Sequence, residues 1–383
     1  MAAVSVCLAL GLGGCSRLRP SPSAQYVYVT AKQTFLRDRV AAVSDRTATV
    51  ENGEKLKVLE RGRRFFRVQT EKGEQGWIDE KVVATQDIFD QFDALKQHHQ
   101  ADPTIASGVV RDDVYMHVSP GRDTERFYRL AEGEKLKLLK RATLPKPVPP
   151  GMRAAPAASA VAARKGVKSG PAAPLPEVVE EPVMEDWWLV RDSKGHTGWL
   201  YSRMMDVDAP DAITRYSEGQ RIVGAYVLTT VNDPEAQQDE KNIPEYVTVM
   251  SPYKAGLPYD FDQVRVFSWN VKKHRYETAS RDKNIEGYLP VEIKMATDPY
   301  GKLPTAAQPA PTFSYRVLAE DAAPVVPDPV TGAVVPGKTI VKTYRLEGNM
   351  VRRVLQPGTT APGEAHPAPV SEKKKDVKGK KRR

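Results

Sequence analysis

The sequence has almost no cysteine. Of its 383 residues only Cys7 and Cys15 carry thiols, both ahead of residue 16. The rest of the chain has no disulfide framework, no thiolate metal cluster and no cysteine nucleophile to offer. Long apolar runs are scarce too. Ala2–Leu12 is apolar or small throughout but falls short of the roughly 20 residues a membrane-spanning helix needs. The common catalytic signatures are missing: no nucleophile elbow, paired-histidine zinc motif, phosphate loop or dinucleotide-binding glycine pattern occurs. The six histidines, His98, His99, His117, His196, His274 and His366, are scattered. Asp112-Asp113 and Asp260-Phe261-Asp262 sit in turn-like segments, and the second pair lacks the further oxygen ligands of a calcium loop. No catalytic residue, metal site or cofactor is expected.

Excess positive charge is scarce outside the C-terminus, because acidic residues nearly balance the basic ones there. The net charge is +9, yet Glu372–Arg383 alone holds eight Lys or Arg against Glu372 and Asp376. The remaining body is near neutral, which argues against a nucleic-acid-binding face. The end from 356 to 383 reads as a disordered basic tail suited to anionic envelope polymers or lipid headgroups.

What is present begins at Leu12-Gly13-Gly14-Cys15. An apolar run followed by small residues has the layout of a signal-peptide cleavage region. The stretch resembles a bacterial lipobox. That resemblance implies a signal peptide over 1–14, lipidation of Cys15, a lipidated linker over 15–25 and a membrane-anchored place in the cell envelope. Ser16 stands where enteric-type lipoproteins kept in the inner membrane have Asp, which leans the expectation towards the outer membrane. A lipidated Cys15 also leaves no thiol for a Cys–His hydrolase.

The first half of the chain is organised by a repeat. Asn52-Gly53-Glu54-Lys55-Leu56-Lys57-Val58-Leu59-Glu60-Arg61 returns as Glu132-Gly133-Glu134-Lys135-Leu136-Lys137-Leu138-Leu139-Lys140-Arg141. Phe65-Phe66-Arg67-Val68 returns as Trp187-Trp188-Leu189-Val190, and Lys72-Gly73-Glu74-Gln75-Gly76-Trp77-Ile78 as Lys194-Gly195-His196-Thr197-Gly198-Trp199-Leu200. Three blocks in one order mark a duplication. Lys55-Leu56-Lys57-Val58 alternates as a half-buried strand does, and the glycine pairs mark turns between short strands. Units of this size with many short strands predict small barrels.

Both units resemble the bacterial SH3-like (SH3b) domain, over about 26–84 and 108–205. The carriers are the Gly-Glu-Lys-Leu-Lys turn and strand, the aromatic pair, and the closing Gly-Trp-Ile or Gly-Trp-Leu strand. The second unit adds Tyr115-Met116-His117-Val118-Ser119-Pro120-Gly121; Phe35-Leu36-Arg37-Asp38 in the first lacks the Gly-Pro loop. The resemblance implies a groove for cell-wall peptide, with Tyr115, Tyr128 and Trp187 as candidate ligand-binding residues. Trp77, Trp188, Trp199 and Phe66 are expected as barrel core, since large rings dominate small cores. The implied partners are peptidoglycan or an envelope protein, together with the membrane through the lipid. An accessory or degenerate wall hydrolase and a structural envelope scaffold are the rival readings.

The span from Gly53 to Trp77 is 24 positions and from Gly133 to Trp199 it is 66. The excess falls in 143–185, where Pro145–Pro182 holds nine Pro and nine Ala; this predicts a disordered insertion. Between the units, 85–101 reads as a helix with Ile88, Phe92 and Leu95 on one stripe. Residues 211–355 show strand-like runs and predict a C-terminal β-sheet or β-sandwich domain. The whole is expected to be mainly β.

Overall fold

The computed structural model describes residues 25–147, 182–302 and 304–368. The chain divides into two compact units, split after Gln86. Cys15, the signal-peptide region, most of the Pro/Ala-rich insertion and the basic end from 369 lie outside the described residues. The fold is mainly β: three seven-stranded antiparallel sheets and two short helices among the described residues.

The first unit holds β1 (Tyr26–Val29), β2 (Gln33–Arg37), β3 (Arg46–Glu51), β4 (Lys55–Arg61), β5 (Phe65–Gln69), β6 (Gln75–Asp79) and β7 (Val83–Thr85), with a 3-10 turn, Glu80–Val82, between the last two. Their order in the sheet is β3-β2-β6-β5-β4-β1-β7. The turns rest on left-handed glycines, Gly53 at φ +85° and Gly73 at φ +89°, a conformation that suits glycine best. One face packs Val29, Leu36, Val50, Leu56, Phe66, Val68 and Ile78 into a core.

The second unit opens inside α1 (Gln86–His98), at Asp87. Then come β8 (Ala106–Val110), β9 (Val114–His117), β10 (Arg126–Leu130), β11 (Lys135–Pro145), β12 (Met184–Arg191), β13 (Thr197–Tyr201), the 3-10 turn Ser202–Met204 and β14 (Met205–Val207). The sheet order is β10-β9-β13-β12-β11-β8-β14. Strand for strand this repeats the first sheet, including the 3-10 turn before the last strand. Gly133 and Gly195 repeat the left-handed turns at φ +78° and +83°.

The predicted edges of the insertion are corrected. Residues 143–145 and 184–185 belong to strands, with Thr143 opposite Asp186, Leu144 opposite Glu185 and Pro145 opposite Met184. A composition rule misplaced these ends because the ladder between β11 and β12 runs on into the Pro-containing flank, where a strand end tolerates proline.

After α2 (Asp211–Thr214) the chain forms β15 (Arg221–Asn232), β16 (Asn242–Ser251), β17 (Phe261–Asn270), β18 (Arg275–Ala296), β19 (Ala310–Leu318), β20 (Thr339–Glu347) and β21 (Met350–Arg353). They pair in sequence order as one meander, a single sheet rather than a sandwich. β18 serves both neighbours, pairing β17 through Arg275–Gly287 and β19 through Gly287–Ala296. Its cores centre on Met250, Phe267 and Trp269, and on Tyr259, Tyr288 and Leu318.

Two polar devices hold this unit together. The Arg141 guanidinium is buried; it donates to the carbonyls of Leu257 and Tyr259 at 3.1 and 3.0 Å and pairs with Asp260 at 2.8 Å. This ties β11 to the loop before β17, and Asp186 adds bonds from Thr143 Oγ1 (2.7 Å) and Gly256 N (3.1 Å). The second device corrects the expected tail. The composition from 356 onwards predicts disorder, yet Gly363–Ala365 form a strap on the sheet. Glu320 N donates to Gly363 O at 3.1 Å and Ala365 N to Leu318 O at 3.0 Å. Lys342, 3% exposed, pairs with Glu364 at 2.9 Å and also with Asp282. A buried ammonium needs such partners, which a net-charge reading of the tail does not register.

Candidate functional site

The aromatic residues of the two barrels share positions but not surroundings. Along β6, Gly76 and Ile78 face the core, so Trp77 alternates to the other side. It is half-buried, which corrects its expected place in the core. Phe65 alternates out of β5 in the same way, while Phe66 stays in the core at 6% exposed. Gly76 makes this possible: a Cβ there would lie 2.7 Å from Leu36 Cβ and 2.6 Å from Thr47 Oγ1. β2 and β6 thus approach closely and Trp77 is held on the outer face.

Phe35, Phe65 and Trp77 line a cleft of about 590 Å³ with Arg37, Arg39 and Asp79. That volume lies in the usual small-ligand range of roughly 300–1,000 Å³. The tip of the β2–β3 loop, Val40-Ala41-Ala42, completes the wall, with Val40 51% exposed. Arg37 Nη1 donates to Ser44 Oγ at 2.9 Å. Arg39 pairs with its neighbour Asp38 at 3.3 Å. Asp79 Oδ1 accepts from Lys81 N at 2.9 Å, capping the 3-10 turn. Arg46 lies 3.9 Å over the Phe35 ring, a cation–π contact that fixes the ring. The cleft offers aromatic faces, two arginines and one carboxylate. No hydrogen-bonded nucleophile–base pair is formed among the lining residues.

The matching face of the second barrel is filled. Trp187, expected to line an open groove, is 2% exposed. It packs edge-on to His117 with ring centroids 5.0 Å apart and against Tyr201 at 5.5 Å. With Leu139, Ala142, Leu189 and Trp199 it forms a second apolar cluster, covered by Leu95 of α1. The physical reason is sequence on both sides of the strand. Trp187–Val190 of β12 is apolar on both faces where β5 carries the exposed Arg67, and the helix packs down through Phe92, 6.0 Å from the Phe127 ring. Trp188 and Trp199 are core, at 5% and 7% exposed. His117 stands where the first barrel has Arg37, each opposite the closing tryptophan. Desolvation, aided by Arg126, pushes its pKa down to about 4, so it is neutral at pH 7. Arg122 closes the rim, paired with Glu185 at 2.7 Å and 4.9 Å over Tyr201.

The remaining candidates are placed separately. Tyr115 is half-buried on β9, and Tyr128 stacks on His196 at 3.8 Å while meeting Phe92 edge-on at 5.5 Å. His99 is held by Asp102 at 2.6 Å and His196 by Asp192 at 2.7 Å. No group of three potential metal ligands occurs among the described residues.

No protein-family profile matches the chain, and no curated protein matches it. Several solved structures do align with it. An NlpC/P60 family protein from Bacillus cereus ATCC 10987 is 8% identical, covers 66% of this chain and 93% of its own length, and gives a TM-score of 0.21. NlpC2 from Trichomonas vaginalis is 8% identical over 70% of this chain and 98% of its own, with a TM-score of 0.14. NlpC1 from the same organism is 6% identical over 68% and 88%, also at 0.14. Scores this low do not assign a site or a chemistry to the present chain, and the reading of its function rests on the cleft itself.

Proposed function

We propose that the chain is a lipid-anchored binding protein of the cell envelope rather than an enzyme, and that its first barrel is the binding module. The observation that carries this is the contrast between duplicates: the face lined by Phe35, Phe65 and Trp77 is open, while the face around Trp187 is packed shut. In this reading the second barrel is a docking module, spent on α1 and on the C-terminal sheet through Arg141. The lipobox-like Leu12-Gly13-Gly14-Cys15 supports the anchor, and the SH3-like pattern supports cell-wall peptide as ligand. Aromatic faces suit the flat amides and methyl groups of a short peptide, and the arginines suit its carboxylates.

The test uses residues 16–383, which include every described element, with purified sacculi. The expected result is co-sedimentation that Trp77→Ala and Phe35→Ala abolish and that Trp187→Phe retains. Full binding by both cleft variants, with unchanged circular dichroism, overturns the assignment. A scaffold role is the second reading, because one barrel already serves as a protein-docking surface. It predicts no sacculus binding and crosslinking in cells to a protein through the same cleft.

A further inference from the structure

The connection between β19 and β20, residues 319–338, is built with two apolar sides. Val325 and Val334 pack inward on the cluster of Leu257, Tyr259, Tyr288 and Leu318. Val326, Val330 and Val335 stand outside, 76%, 83% and 70% exposed. Asp328 is the only charge between Ala322 and Gly337. Exposed apolar surface gathered in this way marks an interaction site. The stretch is also pinned. Pro324, Pro327 and Pro329 fix their own φ angles and push Ala323, Val326 and Asp328 towards extended backbone; residues 323–328 form no helix, strand or turn. Asp328 Oδ1 accepts from Val330 N at 3.0 Å, Thr331 N at 2.6 Å and Thr331 Oγ1 at 2.9 Å. Gly332, at φ +69°, accepts on its carbonyl from Thr143 N at 2.7 Å. A tip held in its extended form in advance loses little entropy on binding.

Extended proline-rich segments dock in grooves lined by aromatic rings. The first barrel carries such a groove, walled by Phe35, Phe65 and Trp77. The charges match as well. Hydrogen bonds from Thr331 and Val330 hold the Asp328 carboxyl below the usual carboxylate range, and no cation contributes to that shift. On the cleft wall, Arg37 bonds the neutral Ser44 hydroxyl. Arg39 pairs with Asp38 beside it, an exposed contact worth little. Asp79, the carboxylate of the wall, is engaged in capping the 3-10 turn. One sequence thus holds both halves of a complementary pair. We infer that the Pro324–Val330 tip of one copy docks in the cleft of Phe35, Phe65 and Trp77 on a second copy. The interface joins unlike surfaces, so it builds chains or rings rather than a two-fold dimer. The inference rests on the cleft being the binding site, and it makes self-association and ligand binding mutually exclusive.

The experiment is sedimentation velocity of residues 16–383 at rising concentration, with Trp77→Ala, Arg37→Glu and Val330→Asp alongside. Wild type is expected to associate as its concentration rises, and each variant about tenfold or more weakly, as loss of an interface anchor does. Arg37→Glu and Val330→Asp replace exposed side chains, so their effect does not pass through folding. The deciding sample mixes Trp77→Ala, whose tip is intact, with Val330→Asp, whose cleft is intact. One tip and one cleft then remain, and a species of two chains and nothing larger is expected. A wild type monomeric throughout, association unchanged by the variants, or a mixture that stays monomeric overturns the inference. Sacculus co-sedimentation separates it from the wall reading. Val330→Asp is expected to bind sacculi in full; sacculi that bind no form, beside a mixture that does pair, remove the wall ligand alone.

Discussion

At the scale of single residues, the two tryptophans of neighbouring fate are Trp77 and Trp188. Trp188 is 5% exposed in the barrel core, whereas Trp77 faces the cleft. Trp188→Ala is expected to cost about 3–5 kcal/mol, as deletion of a buried aromatic does. Trp77→Ala is expected to cost roughly 1–2 kcal/mol, for the part of its surface that is buried. Urea unfolding of the two variants checks the split; equal losses would return Trp77 to the core. His117 carries a pH prediction. Its pKa falls from the ordinary 6.5 to about 4 on folding, so the unfolded chain binds its proton more readily. The neutral form supports folding fully above pH 6.5, and that support is lost as the pH falls from 6.5 through 4. His117→Gln is expected to flatten the pH dependence of the second unit's stability in that window. A slope identical to wild type would show that His117 is not the group responsible.

At the scale of elements, the duplication was readable in the sequence and the difference between its copies was only partly so. The turn glycines, the alternating Lys55-Leu56-Lys57 strand and the Gly-Trp closing strand each fall where the pattern puts them. The cleft was not read, because Phe65-Phe66-Arg67-Val68 and Trp187-Trp188-Leu189-Val190 look alike as aromatic-led strands. The distinguishing signal is Arg67 against Leu189. A run apolar at consecutive positions is covered on both faces, and Trp187-Trp188-Leu189-Val190 marks that part of β12 as closed. What covers it, Leu95 of α1, is a tertiary fact that no local period encodes. Arg141 was equally opaque, since its counterpart Arg61 is exposed and nothing in the repeat separates the two. The β11–β12 ladder yields a further prediction. Pro145 and Met184 are already ladder partners, so the residues between them are not needed to set the register. Replacing 148–181 by Gly-Asn is expected to leave the far-ultraviolet spectrum unchanged and raise stability by about 1–2 kcal/mol through the shorter loop closure. Loss of cooperative melting would show that the insertion contributes to the barrel.

At the scale of the whole molecule, the described structure spends apolar surface generously in the second unit and leaves it available in the first. The second unit is also closed by its own C-terminal strap, and this can be tested. A chain ending at residue 360 loses Glu364 and leaves Lys342 with Asp282 as its remaining carboxylate. The expected cost is about 1–3 kcal/mol, the range for hydrogen bonds to a charged group. Amide hydrogen exchange should speed up at Glu320, whose N–H loses Gly363 O, and along β19 and β20; unchanged protection there would show that the strap bears no weight.

The same strap determines where mechanical load enters. The basic sequence Lys373–Arg383 follows it within a few residues. A pull applied from the C-terminal side of the strap meets His366 first, whose Nδ1 lies 2.7 Å from Asn284 O in β18, and then Glu364 and Ala365, and so Lys342 and Leu318 inside the sheet. Such tension would enter as shear across that contact, an ion pair and two backbone bonds. The strap is therefore tied to the interior strands β18, β19 and β20 rather than to the free edge at β21.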